Sequence, residues 1–167
     1  CSHQLDFTNW LLNSVPLKVV GDGGVDFWKD GRETFDNIHM IYTYPNGVRA
    51  KFTCLTTNSK DDYLIKVLGS KGAITIDYTK AWLYPEKRSE FKEIGDVDGV
   101  SGATVKWDAE KGIPIEAEHL DPTKQALLDF RDSIFTNTIP KSDVISGAKA
   151  AICVQMGLDA LYSGKVV

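Results

Sequence analysis

Hydrophobic and polar positions recur along the chain with two periods, and the switch between them marks the elements. In "CSHQLDFTNWLLN", His3, Asp6, Trp10 and Asn13 repeat at spacings of three and four, which places them on one helix face. Leu5 and Leu12 fall on another face, with Phe7 and Leu11 between the two. Pro16 to Val20 reads as a strand and is followed by "GDGG"; the polar stretch from Val25 to Asn37 reads as a loop. Ile38, Met40, Tyr42 and Tyr44 then alternate with His39, Ile41 and Thr43. Beyond "PNG", Val48, Ala50, Phe52 and Cys54 alternate with Arg49, Lys51 and Thr53. Pro45 and Asn46 suit a type I turn and Gly47 the left-handed residue of a bulge, so the two runs form a hairpin.

"YLIKVLG" and "AITID" flank Ser70-Lys71-Gly72 as a second hairpin, "AWLYPE" supplies a fifth strand and "FKEIG" a sixth. A long surface connection is expected from Asp96 to Leu120. Asp121 as N-cap and Pro122 at the first helical position start a helix expected to bury Leu127, Phe130 and Ile134 and to end near Asn137. Ser142 or Asp143 caps a last helix carrying Ile145, Ala148, Ile152, Met156 and Leu161, with Gly147, Ala148, Ala150 and Ala151 as a smooth stretch for close packing. Ser163-Gly164 stops it. The order predicts an α+β fold, an open, mostly antiparallel sheet with helices on one face. Ile38, Ile41, Tyr42, Phe52, Leu55, Leu64, Ile65, Val67 and Leu68 make both faces apolar, so a homo-oligomer joined through the sheet is expected.

At 167 residues the chain has room for one domain, and residues 1–167 are read as one. Its 19 basic and 23 acidic residues sum to −4 with no basic block, which argues against a nucleic-acid groove or a polybasic membrane patch. Apolar runs are broken by Lys66, Asp77 or Asp159 before reaching the roughly 20 residues of a membrane span. Cys1, Cys54 and Cys153 form no CxxC pair and an odd count, which leaves neither a disulfide framework nor zinc-ligand spacing. Free thiols suit a reducing compartment, and a cytoplasmic location is expected. A chain that opens directly on a helix without Met is expected to be a fragment of something longer.

"GDGG" lacks the third glycine and following helix of a dinucleotide fingerprint, "GDVDGVSGA" is wrongly spaced, and the plain reading of both is turn glycine. This chain alone is therefore expected to hold no NAD, ATP or metal. His3 and Asp6 form an HxxD pair in which a carboxylate one turn along orients an imidazole able to shuttle protons near neutral pH. A structural histidine at a helix start explains the same pair. His39 faces an interface or solvent, and His119 sits in a loop beside a cap. Phe27, Trp28, Lys29, Asp30 and Arg32 mix flat aromatics with both charges on one loop, a combination that suits sugar hydroxyls or carboxylates. A solvated loop tacked down by Trp28 is the bland alternative. Trp82 and Trp107 read as packing residues.

In this order the pieces resemble the C-terminal domain of the glucose–fructose oxidoreductase / inositol dehydrogenase / MocA family. "SHQLDFTNWLL" is similar to its Gly/Ser-x-His-x-x-Asp-x-x-x-Trp helix, "YPNGVRAKF" to its Tyr-x-x-Gly-x-x-Ala-x-Phe hairpin, "VLGSKGAITI" to its Gly-x-x-Gly strand pair, and "ISGAKAAICVQMGLDALYSGK" to its closing helix. The resemblance implies the substrate-binding and oligomerisation half of an oxidoreductase whose missing N-terminal Rossmann domain binds NAD or NADP and supplies a Glu-Lys-Pro lysine. By that carry-over His3 is the acid/base acting on a sugar or cyclitol hydroxyl. Asp6 and Trp10 are substrate-side positions that support more than they touch, and Trp28, Lys29 and Arg32 lie in a segment that helps set substrate choice. Without the Rossmann domain the chain is expected to be inactive, because hydride transfer belongs to the cofactor. Two other readings stay open: a free-standing carbohydrate-binding or assembly module, and part of an NAD-dependent glycoside hydrolase of the same fold.

Overall fold

A computed structural model describes residues 2–60, 63–86, 112–116 and 121–167. Its elements are α1 (Ser2–Leu12), β1 (Lys18–Gly24), β2 (Asn37–Thr43), β3 (Arg49–Leu55), β4 (Ile65–Gly69), β5 (Gly72–Ile76), β6 (Ala81–Pro85), β7 (Ile113–Ile115), α2 (Pro122–Thr136) and α3 (Val144–Ser163). The α+β class holds. The strands form two antiparallel sheets, β1-β2-β3 and β4-β5-β6-β7, where the sequence reads as one continuous meander. They belong to two compact units, residues 1–60 with 120–167, and residues 61–119.

In the first unit the β2–β3 hairpin turns as the sequence dictates. Gly47 has φ 81°, its N–H donates to the Tyr44 carbonyl at 2.9 Å, and Tyr42 comes opposite Ala50. Register then sorts the sheet faces. Val19, Met40, Tyr42 and Phe52 line the buried face with Tyr42 and Phe52 edge to face at 5.4 Å, while Val20, Ile41 and Leu55 share the other face with Lys18, Asp22, His39, Lys51 and Thr53. That second face is mixed, because Ile38, Tyr42 and Phe52 all turn toward the helix side.

The helix covering the sheet is α3, which packs on β1, and α1 packs on α3 in turn. The buried stripe of α3 is Ala150, Cys153, Gly157 and Ala160 with Leu161. Ile145 and Ile152, two of the large apolar residues this helix carries, are exposed; the small residues face the core because they admit the backbone close to Tyr42. A Cβ on Gly157 would lie 2.2 Å from the Tyr42 hydroxyl and 2.9 Å from Met40 Sδ. By length and composition α3 qualifies as a membrane span despite Lys149 and Asp159, and one side of it packs on β1 and α1.

β1 corrects a second expectation. "GDGG" is strand, with Gly21 opposite Met40 and Gly23 opposite Ile38. A Cβ on Gly21 would press on Leu161 and Met40 at 3.1 Å, and one on Gly23 would meet the Asn37 carbonyl at 2.4 Å. The glycines are there for close approach. At the outer edge of β1, Val19 and Val167 exchange backbone hydrogen bonds of 2.7 and 3.1 Å, which the sequence did not announce.

Helix α2 starts and stops where expected: the Asp121 carboxylate accepts from Lys124 N–H at 2.8 Å, and Asn137 closes the helix at φ 53°. Its expected burial fails, however. No residue of α2 is buried, and Leu127, Phe130 and Ile134 are each more than half exposed. Asp143, not Ser142, caps α3 through Ser146 N–H at 2.8 Å.

The second unit holds β4–β7. Gly69 pairs with Gly72 across the two-residue turn Ser70-Lys71, and Thr75 faces Trp82. β7 pairs Ile113 with Leu83 and Ile115 with Ala81, inside a stretch read as connection. The "FKEIG" strand, Trp107 and His119 lie outside the described residues.

Candidate functional site

Two surfaces of the first unit carry the residues singled out in the sequence. The first is α1. Leu5 and Asn9 are buried and Leu12 packs beside them, so the helix turns His3, Asp6 and Trp10 away from the core. His3 is exposed, Asp6 half-buried, and Trp10 68% exposed with its ring 6.1 Å from Phe7. Among the described residues no hydrogen bond or ion pair joins His3 to Asp6. Asn13, expected on the same face, instead ends the helix at φ 44°, with Ser14 N–H donating to the Asn9 carbonyl at 3.1 Å.

What fixes this helix is a residue the sequence reading passed over. The Asn9 side chain lies inside the core, where Oδ1 accepts from the Tyr44 hydroxyl at 2.8 Å and Nδ2 donates to Cys153 Sγ at 3.6 Å. Tyr42 donates to the Cys153 carbonyl at 2.9 Å. A buried polar group needs such partners, and those of Asn9 come from the turn after β2 and from α3. Burial pushes both phenols up to about 12. The available signal was an asparagine four residues after Leu5, within the apolar stripe.

The second surface is the arm between β1 and β2, residues 25–36. Its anchor is Asp36, 1% exposed. The carboxylate accepts backbone N–H bonds from Asp26 (3.1 Å), Phe27 (2.8 Å) and Trp28 (2.9 Å), and one from Asn37 Nδ2 (3.0 Å). These donors, Trp28 N–H first, hold the carboxyl far below its usual range against the opposing effect of burial. At the base of the arm Phe35 packs on Tyr162 at 4.8 Å.

Fixed in this way, the arm presents Phe27 (64% exposed) and Trp28 (40% exposed), edge to face at 5.0 Å. The Arg32 guanidinium sits 5.3 Å over the Trp28 ring and forks onto Asp30, Nε to Oδ1 at 2.9 Å and Nη2 to Oδ2 at 2.6 Å. Gly31 at φ 89° makes the turn between them. Arg32 holds the Asp30 carboxyl down to about 2. Lys29 Nζ donates to the Val25 carbonyl, which closes the arm on itself. The structure therefore gathers Trp28 and Arg32 and gives Lys29 an internal task. Among the described residues no hydrogen bond, ion pair or ring contact joins the arm to the His3–Asp6 face. His39 stands on the outer face of the first sheet, 3.5 Å from Thr53 Oγ1, and no three His, Cys, Asp or Glu side chains among the described residues converge as a metal site.

Comparison with known proteins adds three findings. The sequence model of a family described as the GFO/IDH/MocA C-terminal domain matches residues 1–75. No curated protein matches. Solved structures match over nearly the whole chain. One is an aldose-aldose oxidoreductase from Caulobacter crescentus, with 18% identity, 99% of this chain and 45% of that one covered, and TM-score 0.72. A UDP-N-acetylglucosamine 3-dehydrogenase from Acidithiobacillus ferrooxidans has 13% identity, 97% and 45% covered, and TM-score 0.74. An NAD-binding protein from Listeria innocua has 19% identity, 99% and 49% covered, and TM-score 0.69. The chain spans about half the length of these structures and shares their fold.

Proposed function

Taking the chain as the Gfo/Idh/MocA C-terminal domain that its residues 1–75 match, we propose that it is the substrate-side half of an NAD(P)-dependent oxidoreductase acting on a sugar or cyclitol hydroxyl. The observation that carries this reading is the family match itself, which covers α1 with its His3-x-x-Asp6 pair and the buried Asn9 lock beneath it. The cofactor is assigned to a second half. "GDGG" is laid out as strand against β2, so it forms no phosphate loop ahead of a helix.

In this reading His3, exposed on a helix held from below, moves the proton of the hydroxyl that becomes a carbonyl. Asp6 and Trp10, on the same face, shape the approach to it. The arm contributes Trp28 and Arg32 to substrate choice. Val20, Ile41 and Leu55 on the outer face of the first sheet support a homo-oligomer contact, and the free thiols Cys54 and Cys153 suit the cytoplasm.

Reading the coding frame ahead of Cys1 tests the assignment of the cofactor. A strand–GxGxxG–helix unit followed by Glu-Lys-Pro is the expected result. A start codon directly before Cys1 would overturn the oxidoreductase reading in favour of a free-standing binding or assembly module.

A further inference from the structure

Alternation in an antiparallel ladder decides which backbone groups are spent on the neighbouring strand and which are left over. In the β2–β3 hairpin the Tyr44 N–H donates to the Val48 carbonyl at 2.9 Å, and at the far end the Thr56 N–H donates to the Asp36 carbonyl at 3.0 Å. With Met40 opposite Phe52 between them, the even-numbered residues of β3 turn their N–H and C=O groups toward β2. Those of Arg49, Lys51, Thr53 and Leu55 therefore point outward, and β3 pairs with no other strand among the described residues.

The opposite edge of this sheet is closed. Val19 is paired with Val167, and the Gly23 N–H is taken by the adjacent Asp22 carboxylate at 2.9 Å. β3 carries no comparable device: it is seven residues long, pairs one for one with β2 without a bulge, and contains neither proline nor glycine. The covering helix α3 packs on β1, two strands away.

An open antiparallel edge takes another strand, and β3 is complementary to itself. A two-fold axis at Phe52 is the register that pairs all seven residues, and it brings outward-pointing groups opposite one another. Arg49 then meets Leu55 of the second copy, and Lys51 meets its Thr53. Neither cation faces a cation, whereas an axis at Lys51 would set that residue against its own copy. On the other face Phe52 meets Phe52 and Ala50 meets Cys54, an apolar row throughout. Self-complementarity about one point is what an isologous contact requires.

We propose that the β3 edge is a binding surface for a second copy of this chain, in which two β3 strands pair antiparallel about Phe52 and join the two three-stranded sheets into one. The surface is the edge of the sheet, distinct from its outer face, and the inference does not depend on the oxidoreductase reading.

Light scattering of the full chain at micromolar concentration is expected to give twice the 18.5 kDa chain mass. Lys51→Pro removes one outward N–H and leaves the β2–β3 ladder intact, so it should give the monomer mass with an unchanged circular dichroism spectrum. Ala50→Cys supplies an independent reading. Ala50 and Cys54 of one chain stand about 13 Å apart along the strand, too far to bridge. The register instead places Ala50 in a non-hydrogen-bonded pair with Cys54 of the second copy, close enough for a disulfide. Glutathione disulfide is expected to link Ala50→Cys into a covalent dimer with that bridge identified by peptide mapping, and Ala50→Cys with Cys54→Ala to lack it.

A monomeric unmodified chain overturns the inference, as does failure of the bridge to form. If Lys51→Pro does not fold, the bridge alone decides. A dimer that survives in folded Lys51→Pro but separates in Ile41→Asp would place the contact on the outer face and end the edge inference, leaving the oxidoreductase reading untouched. An edge dimer in a protein without any cofactor-binding half would end only the oxidoreductase reading.

Discussion

The Tyr44 hydroxyl donates to Asn9 Oδ1 across 2.8 Å of buried space, joining the turn after β2 to the helix that carries His3. Asn9→Ala strands that hydroxyl and is expected to cost about 1–3 kcal/mol. Tyr44→Phe combined with Asn9→Leu removes both polar partners together. The double variant should therefore lose less than the two single losses added, and a thermal-denaturation cycle reads the coupling directly.

The two glycines of α3 should respond in opposite directions. Gly157→Ala drives a methyl into Tyr42 and Met40 and is expected to destabilise by about 1–3 kcal/mol or more. Gly147 has open space around the same position, so Gly147→Ala should gain about 0.5–1 kcal/mol from helix propensity. Equal midpoint shifts in urea would show that α3 does not lie against β2 as described.

Stability should fall at both ends of the pH scale for separate reasons. Tyr42 and Tyr44 are raised from 10 to about 12, so unfolded chains release these protons first. Their contribution is complete below pH 10 and disappears between 10 and 12. Asp36 is depressed instead, so its contribution is present above the ordinary carboxylate value near 3.8 and is lost as pH falls below it. Replacing Tyr44 by Phe should flatten the alkaline limb, and Asp36→Asn the acid limb, in unfolding curves followed across pH.

Asp36→Ala should also release the arm. The backbone donors of Asp26, Phe27 and Trp28 lose their common acceptor, and limited proteolysis is expected to cut within residues 25–36 while the β2–β3 hairpin stays protected. Uniform loss of protection would mean that Asp36 holds the sheet more than the arm.

Much of this was legible from the chain. Pro45-Asn46-Gly47 between two alternating runs specifies the hairpin and its bulge, because only glycine enters φ 81° without strain. Asp121-Pro122 and Asn137 bracket α2 through local chemistry alone. The failures are tertiary. Periodicity placed Leu127, Phe130 and Ile134 on one face of α2, but nothing in a single helix says whether that face is covered. On α3 the stretch expected to pack closely leaves Gly147, Ala148 and Ala151 exposed and only Ala150 buried, whereas Gly157 further along makes the contact, because the partner, Tyr42, is bulky and far away in sequence. At the candidate site, no bond joins His3 to Asp6 among the described residues, and His3, Asp6, Trp28 and Arg32 were singled out by residue type. Asn9 and Asp36 were not, since their partners are backbone groups and side chains that only the folded chain brings near.

The central claim is that His3 serves a redox reaction completed by a second, cofactor-binding half. Its most direct test is turnover and cofactor affinity of His3→Ala in a protein that carries this chain together with an NAD(P)-binding domain. The account predicts turnover on a sugar or cyclitol lowered by about 100- to 10,000-fold, with cofactor affinity and the fold unchanged. Turnover equal to that of the unmodified protein would contradict it and remove His3 from the chemistry.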